Sequence, residues 1–389
     1  MDTIYLDNNA TTRPADEVVE AMVRALTEHW ANPSSVHRPG QAVRQHLELA
    51  RERVCLLIGC RDRDLVFTSG GTEGANLAIG GSLEAQPTRN AIATTRLEHS
   101  AVRELAERLE RKGIEVLWLA CAPGSGLVEM GALEDLLTAR AGEIAVISVQ
   151  WANNETGVIQ PIEAIGALCR EHGVRFHTDG TQWIGKMPAD VSAMPVDLVS
   201  FAAHKFHGPK GVGGLYMRRG VKLAAQVIGG PQERERRGGT ENVPGILGMA
   251  AAADLAAAWL ATEGRERLGA MRDSFERAIL ERCEETSING AASPRLWNTS
   301  NIAFSRLEAE AILLLLSERG VCASAGAACS SGSLDPSPVL LAMGIPEPAA
   351  HGSVRFSLSR ETTPGELHRA ADIVLEVIAR LRGSMAAVR

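Results

Sequence analysis

Short apolar runs that read as strands alternate, over the first two thirds of the chain, with longer stretches of helical periodicity. Residues 64–68 have the texture of a buried strand, and 73–80 read as the start of a helix after it. Residues 91–94, 144–151, 174–178 and 196–202 read as further strands, with a helix over 162–172. Near-continuous apolar strands belong to parallel sheets, whose crossover helices cover both faces. The alternation predicts an α/β fold on a largely parallel sheet. An alanine-rich helix is expected over 246–263. Beyond it the texture becomes helix, strand, helix, with a strand over 297–304 and a helix over 308–318. The boundary between two units is placed near residue 260; a chain of 389 residues is long enough for two or three folding units. No internal repeat or low-complexity segment interrupts this order.

Charge and cysteine content narrow the function. The formal net charge is −7, so no basic footprint for nucleic acid is expected. The run Glu233-Arg234-Glu235-Arg236-Arg237 mixes signs and reads as a solvated loop. The N-terminus lacks the basic flank and apolar stretch of a signal peptide, and apolar runs such as 309–316 are broken by charge. A soluble, cytoplasmic protein with no membrane segment is expected. Seven scattered cysteines make a poor disulfide framework, and without a CxxC pair no structural zinc site is expected.

Three sites point to a cofactor. Thr68-Ser69-Gly70-Gly71-Thr72-Glu73 follows a strand and opens a helix, where free backbone N–H groups and the dipole suit a phosphate. Asp179 ends one predicted strand, and Ala203-His204-Lys205 ends the next. Ligands of open α/β sheets bind outside the C-terminal strand ends. Pyridoxal 5'-phosphate (PLP) needs a lysine to hold it covalently and an acid against its pyridine nitrogen, so that the ring acts as an electron sink. Lys205 and Asp179 meet both needs. His99, after the strand at 91–94, is placed to stack on such a ring and move protons near neutral pH.

These residues lie within a longer set of motifs. The set runs through Tyr5-Leu6-Asp7-Asn8-Asn9-Ala10-Thr11-Thr12, Asn32-Pro33-Ser34-Ser35, the glycine turn at 68–73 and Trp151-Ala152-Asn153-Asn154-Glu155-Thr156-Gly157. It continues through His204-Lys205, Arg237-Gly238-Gly239-Thr240-Glu241-Asn242, Ala328-Cys329-Ser330-Ser331-Gly332-Ser333 and Arg355-Phe356-Ser357-Leu358-Ser359-Arg360. In this order, over nearly the whole chain, it resembles the cysteine desulfurases, most of all their nitrogen-fixation (NifS) branch.

The resemblance implies the fold-type-I PLP architecture: a large domain over 15–260, and a small domain from 1–14 and 261–389 that carries the catalytic cysteine. It implies a homodimer with sites near the subunit interface. Lys205 would bind the cofactor covalently, Asp179 would pair with its ring nitrogen, Gln182 would approach its phenolic oxygen, and His99 would stack on it. Gly71, Thr72 and His204 would hold the phosphate, with Thr240 reaching it from the other subunit. Asn154 and Arg355 would hold the substrate carboxylate, with Asn32 close by. Cys329 would take sulfur from L-cysteine as a persulfide, releasing L-alanine, and pass it to an acceptor such as an iron–sulfur scaffold protein. A free thiol has a pKa of about 8.5, so Cys329 needs local help to ionise, for which His99 is one candidate. Its neighbours are small, which suits a carrier between cofactor and acceptor. Selenocysteine lyase and PLP aminotransferase share much of this pattern and stay open. Two departures stand out. Ala202 takes the place of a phosphate-binding serine, and the chain ends soon after Arg382, where housekeeping relatives carry a scaffold-docking tail.

Overall fold

The computed structural model describes residues 3–325 and 335–387. A two-residue strand, β1 (Ile4–Tyr5), and two helices, α1 (Asp16–Thr27) and α2 (Arg38–Ile58), precede the main sheet. That sheet has seven strands: β2 (Leu65–Thr68), β3 (Ala91–Thr94), β4 (Glu115–Trp118), β5 (Ile144–Ser148), β6 (Arg175–Asp179), β7 (Leu198–Ala202) and β8 (Gly213–Met217). Their order is β2-β8-β7-β6-β5-β3-β4. Only β8 is antiparallel to its neighbours, β2 and β7, so the other six strands run one way. Their C-terminal ends therefore share one edge of the sheet, and the expected α/β class holds.

The reversal at β8 comes with two glycines that let backbones close up. A Cβ on Gly213 would stand 2.3 Å from the Phe201 carbonyl and 2.8 Å from Gly70 Cα. One on Gly214 would stand 2.5 Å from the Phe201 ring. Helix α3 (Gly71–Glu84) packs just as closely on β7, since a Cβ on Gly74 would lie 2.9 Å from Ser200 Cβ. Helix α4 (Ser100–Arg111) follows β3.

A first apolar cluster joins the sheet to α1, α2 and the helix Val243–Leu260. This helix is long and apolar enough, by length and composition, to cross a membrane, a feature the sequence reading passed over. More than half of it is buried, against α1 and α2. It begins earlier than expected because the Asn242 side chain accepts from the Gly245 N–H (3.1 Å), with Pro244 in the first turn. A second cluster, centred on Leu6, Phe304, Leu316 and Phe356, lies around β9 (Thr286–Ile288), β10 (Thr299–Phe304), β11 (Val321–Cys322) and β12 (Ser353–Ser357). These form an antiparallel sheet in the order β12-β10-β9 and a parallel pair, β1 with β11. The N-terminal segment thus packs against elements more than 250 residues away in sequence.

One expectation needs correcting. The charged run at 233–237 is not simply a solvated loop. Glu233 is buried, takes two hydrogen bonds from the Arg51 guanidinium (2.6 and 3.1 Å) and accepts from the Phe67 N–H (2.8 Å). Burying the carboxylate requires this full set of partners. Glu233, Arg234 and Glu235 all have positive φ (47°, 59° and 65°). Only Arg234 and Glu235 face solvent.

Candidate active site

The shared C-terminal edge of the sheet opens into a cleft of about 250 Å³. Strands β2, β3, β5, β6 and β7 each contribute to it. Gly71 and Thr72 come from the start of α3 after β2, and His99 from the N-cap of α4 after β3. Gln150, Ala152 and Asn154 follow β5. Asp179 ends β6, with Thr181 and Gln182 beyond it. Ala202 ends β7, and His204 and Lys205 lie in the single 3₁₀ turn after it. Strand 144–151 ends early, at Ser148. The Val149 and Trp151 N–H groups still donate to the His177 and Asp179 carbonyls (3.1 and 2.9 Å), while Gln150 between them lines the cleft.

The N-terminal segment closes the cleft from the other side. Lys205 Nζ donates to the carbonyls of Asn9 (2.6 Å) and Ala10 (2.8 Å). Thr12 donates through N–H and hydroxyl to the His204 carbonyl (2.9 and 3.0 Å). Asp179 Oδ1 accepts from the Thr181 N–H (3.0 Å) and the Ser200 hydroxyl (3.5 Å). His99 Nδ1 accepts from the Ala101 N–H (3.1 Å). Burial holds the His99 imidazole below its usual pKa, with Asp179 pulling the other way and Lys205 adding to the lowering. Burial, then Lys205, brings His204 down to about 4. Both rings are therefore neutral near pH 7.

The whole chain can now be set beside known proteins. The family model for aminotransferase class-V matches residues 4–369. A cysteine desulfurase of Trichormus azollae is 45% identical over 382 residues, covering 98% of this chain and 94% of its own. The cysteine desulfurase NifS of Azotobacter vinelandii is 46% identical, with coverages of 98% and 94%.

The chain belongs to the class-V aminotransferases.

Among solved structures, a NifS-like protein superposes with a TM-score of 0.89 at 33% identity, covering 97% of this chain and 99% of its own. One titled SspA in complex with cysteine gives 0.80 at 32% identity, covering 92% and 99%. Class-V enzymes use PLP, and the cleft of this member fits it. Two buried polar atoms at the cleft, Asn154 Oδ1 and Thr181 Oγ1, have no hydrogen-bond partner among the described residues. An isolated buried polar atom is costly, and a polar ligand removes that cost. Gly71 keeps the start of α3 open, since a Cβ there would stand 2.6 Å from Thr181 Oγ1. Ala202 lines the cleft and adds no hydroxyl.

Three further residues expected at the site do not line the cleft within one chain, and of these Thr240 is the one expected to act from a second chain. Asn32 and Thr240 are exposed and do not line the cleft. Arg355 is buried beside it, where Nη1 donates to the Asn154 carbonyl (3.0 Å) and Nη2 bonds Asp7 Oδ1 (2.8 Å). A charge on an apolar strand needed a partner, and the chain supplies a carboxylate from β1's neighbour. Cys329 lies outside the described residues. Among the described residues, no cluster of His, Cys, Asp or Glu is placed to hold a metal ion.

The sequence reading missed two buried groups in this class-V site. Lys186 Nζ donates to Gln182 Oε1 (2.6 Å) and Asn9 Oδ1 (2.9 Å), so it fixes the amide of a cleft residue. Burial, then Lys205, pushes its pKa well down. Its apolar surroundings, Trp183-Ile184-Gly185-Lys186-Met187, were the available signal. The other is Glu98, fully buried next to His99. Its Oε1 accepts from Thr95 Oγ1 (2.9 Å) and the Gln150 N–H (3.1 Å), and burial raises its pKa to about 8. The native state therefore holds a proton that the unfolded chain loses near pH 4.5. Stability is full below that value and falls as pH rises toward about 8. Glu98→Gln keeps the acceptor and removes the titration. The variant is expected to gain on wild type by up to about 1.4 kcal/mol per pH unit between pH 5 and 8, read as a difference in melting temperature. A difference that does not change with pH would show Glu98 ionised throughout.

Proposed function

We propose that the cleft is the active site of a cysteine desulfurase that converts L-cysteine and its own Cys329 thiol into L-alanine and a Cys329 persulfide. The observation that carries this is the meeting of Lys205, Asp179 and His99 at one sheet edge in a chain collinear with cysteine desulfurases over 98% of its length. PLP, when bound, supplies an electron sink for bonds breaking next to the substrate's amino carbon.

The chain's own groups do the rest. Lys205 would hold the cofactor, and its amine would move a proton at the substrate's α-carbon. Asn9 O and Ala10 O fix where its Nζ starts. Asp179 ends β6 at the cleft, and neutral His99 is able to accept a proton. The Cys329 thiolate attacks the substrate sulfur. The new S–S bond forms as the C–S bond breaks, and the carbon keeps the electron pair and takes up a proton. Atoms balance: the substrate loses one sulfur, and the enzyme thiol becomes a persulfide.

Asn154 and Arg355 hold the substrate carboxylate in this proposal. The contact from Arg355 to the Asn154 carbonyl brings the two together, and Asn154 Oδ1 has no partner among the described residues. A guanidinium binds carboxylate through a planar fork that an ammonium lacks. Arg355→Lys is expected to raise KM for L-cysteine about tenfold or more while PLP affinity changes little. An unchanged KM would leave Arg355 a structural role, with Asp7 and the Asn154 carbonyl among its partners.

A second copy of the chain is the proposed cover for the exposed apolar side chains Val19, Val23 and Leu26 on α1 and Trp30, Val36, Leu56 and Ile228 beyond it. Asn32 lies between Trp30 and Val36, and Thr240 is exposed, so both are open to such a partner. The persulfide then passes to an acceptor such as an iron–sulfur scaffold protein. With PLP and a thiol reductant, the enzyme is expected to release sulfide and L-alanine in equal amounts and to sediment as a dimer while active. Amino transfer to a keto acid without sulfide would contradict the reaction, and a fully active monomer would contradict the cover.

A further inference from the structure

A ladder of polar side chains crosses the middle of the otherwise apolar main sheet, beneath the cleft. Ser148 on β5 pairs in register with His177 on β6, and Asp179, two residues further along β6, pairs with Ser200 on β7. Ser148, His177 and Ser200 are essentially inaccessible to solvent. Ser148 Oγ lies 2.8 Å from His177 Nδ1, and His177 Nε2 lies 3.0 Å from Ser200 Oγ. Ser200 Oγ lies 3.5 Å from Asp179 Oδ1. Four polar groups in a sheet of Val, Ile, Leu and Phe are costly unless each is satisfied. The cleft residues do not explain why a histidine stands there.

The hydrogen count gives the answer. As a carboxylate, Asp179 only accepts, and in one arrangement Ser200 spends its single proton on it. Ser200 Oγ must then accept from His177, which puts the ring proton on Nε2. Nδ1 is left bare and accepts from Ser148. In the opposite tautomer, Nδ1–H points to Ser148, Ser200 donates to Nε2, and Asp179 loses the hydroxyl. The tautomer of His177 thus decides whether Asp179 has one protein donor or two. Burial lowers His177 to about 4, so the ring is neutral in either arrangement near pH 7.

We propose that His177 is a positioning residue for Asp179: as the neutral Nε2–H tautomer, it accepts from Ser148, donates to Ser200 and thereby aims the Ser200 hydroxyl at Asp179. The two donors, Ser200 Oγ and the Thr181 N–H, both use Oδ1. Oδ2 is then left for the ring N–H of the cofactor, with the carboxylate unable to rotate away. This rests on the reading of Asp179 as the partner of that ring.

Long-range ¹H–¹⁵N spectra of ¹⁵N-histidine holoenzyme test it, with His177→Gln used to assign the signals. The expected result is a protonated Nε2 and a bare Nδ1 from pH 6 to 9. An Nδ1–H tautomer, or a doubly protonated ring, would overturn the proposal. Ser200→Ala supplies a second readout, PLP affinity by fluorescence titration of the apoprotein. Loss of one hydrogen bond to a charge is expected to raise the PLP dissociation constant about tenfold and to remove the His177 tautomer preference. Wild-type affinity in Ser200→Ala would also overturn it. A wild-type protein that binds no PLP at all would instead sink the proposed function, whichever tautomer His177 shows.

Discussion

Lys205→Ala is expected to fold, to lose the visible absorbance of covalently held cofactor, and to release sulfide from L-cysteine at least about a thousandfold more slowly than wild type. The size follows from two losses at one atom: the covalent tether and the base at the substrate's α-carbon. Folding should survive because Lys205 is only partly buried, and its partners include the backbone carbonyls of Asn9 and Ala10. Those carbonyls stay at the cleft, where water can replace Nζ. The segment they belong to keeps its other anchors: Asn9 to Thr299 and Asn298, and Thr12 to His204. Stopped-flow absorbance and sulfide release read both losses. A variant that kept the wild-type spectrum and rate would show that another lysine holds the cofactor. Lys186 would be the first to examine, since it lies against the same Asn9.

Much of the site was legible because an open parallel sheet gathers its strand ends. Gly71, His99, Asn154, Asp179, Gln182, His204 and Lys205 each follow a strand that reads clearly as one, so a local signal was enough to bring them to one edge. What was not legible depends on pairing between distant elements. The Asp7 partner of Arg355 is 348 residues away, and nothing local to either residue announces the pair. Glu233 looked solvated because its partner, Arg51, lies on a helix 182 residues earlier. The Ser148–His177–Ser200 ladder depends on the register of three strands, and a one-residue slip would dissolve it. The reversed strand β8 carried only its two glycines as a sign, and glycine pairs mark turns as often as close backbone packing.

Cys329→Ser is expected to bind PLP and L-cysteine as wild type does and to release no sulfide above background. The reason lies in what the fold does to the other cysteines. None of the six among the described residues is in a disulfide. Burial raises the thiols of Cys121 and Cys169 to about 12. Cys60, beside Cys55, is pushed up further. Cys322, seven residues before Cys329, is half-buried in β11, and burial and the nearby Asp7 carboxylate raise it as well. A raised pKa leaves almost no thiolate at neutral pH, and the thiolate is the nucleophile. Cys322→Ser is therefore expected to stay near wild-type rate.

The most direct test is to expose the holoenzyme briefly to L-cysteine without reductant, digest it, and locate by mass spectrometry the peptide that has gained one sulfur. The account predicts the extra sulfur on the peptide holding Cys329 and none on that residue's serine variant. Extra sulfur on Cys322, or sustained sulfide release by Cys329→Ser, would contradict it.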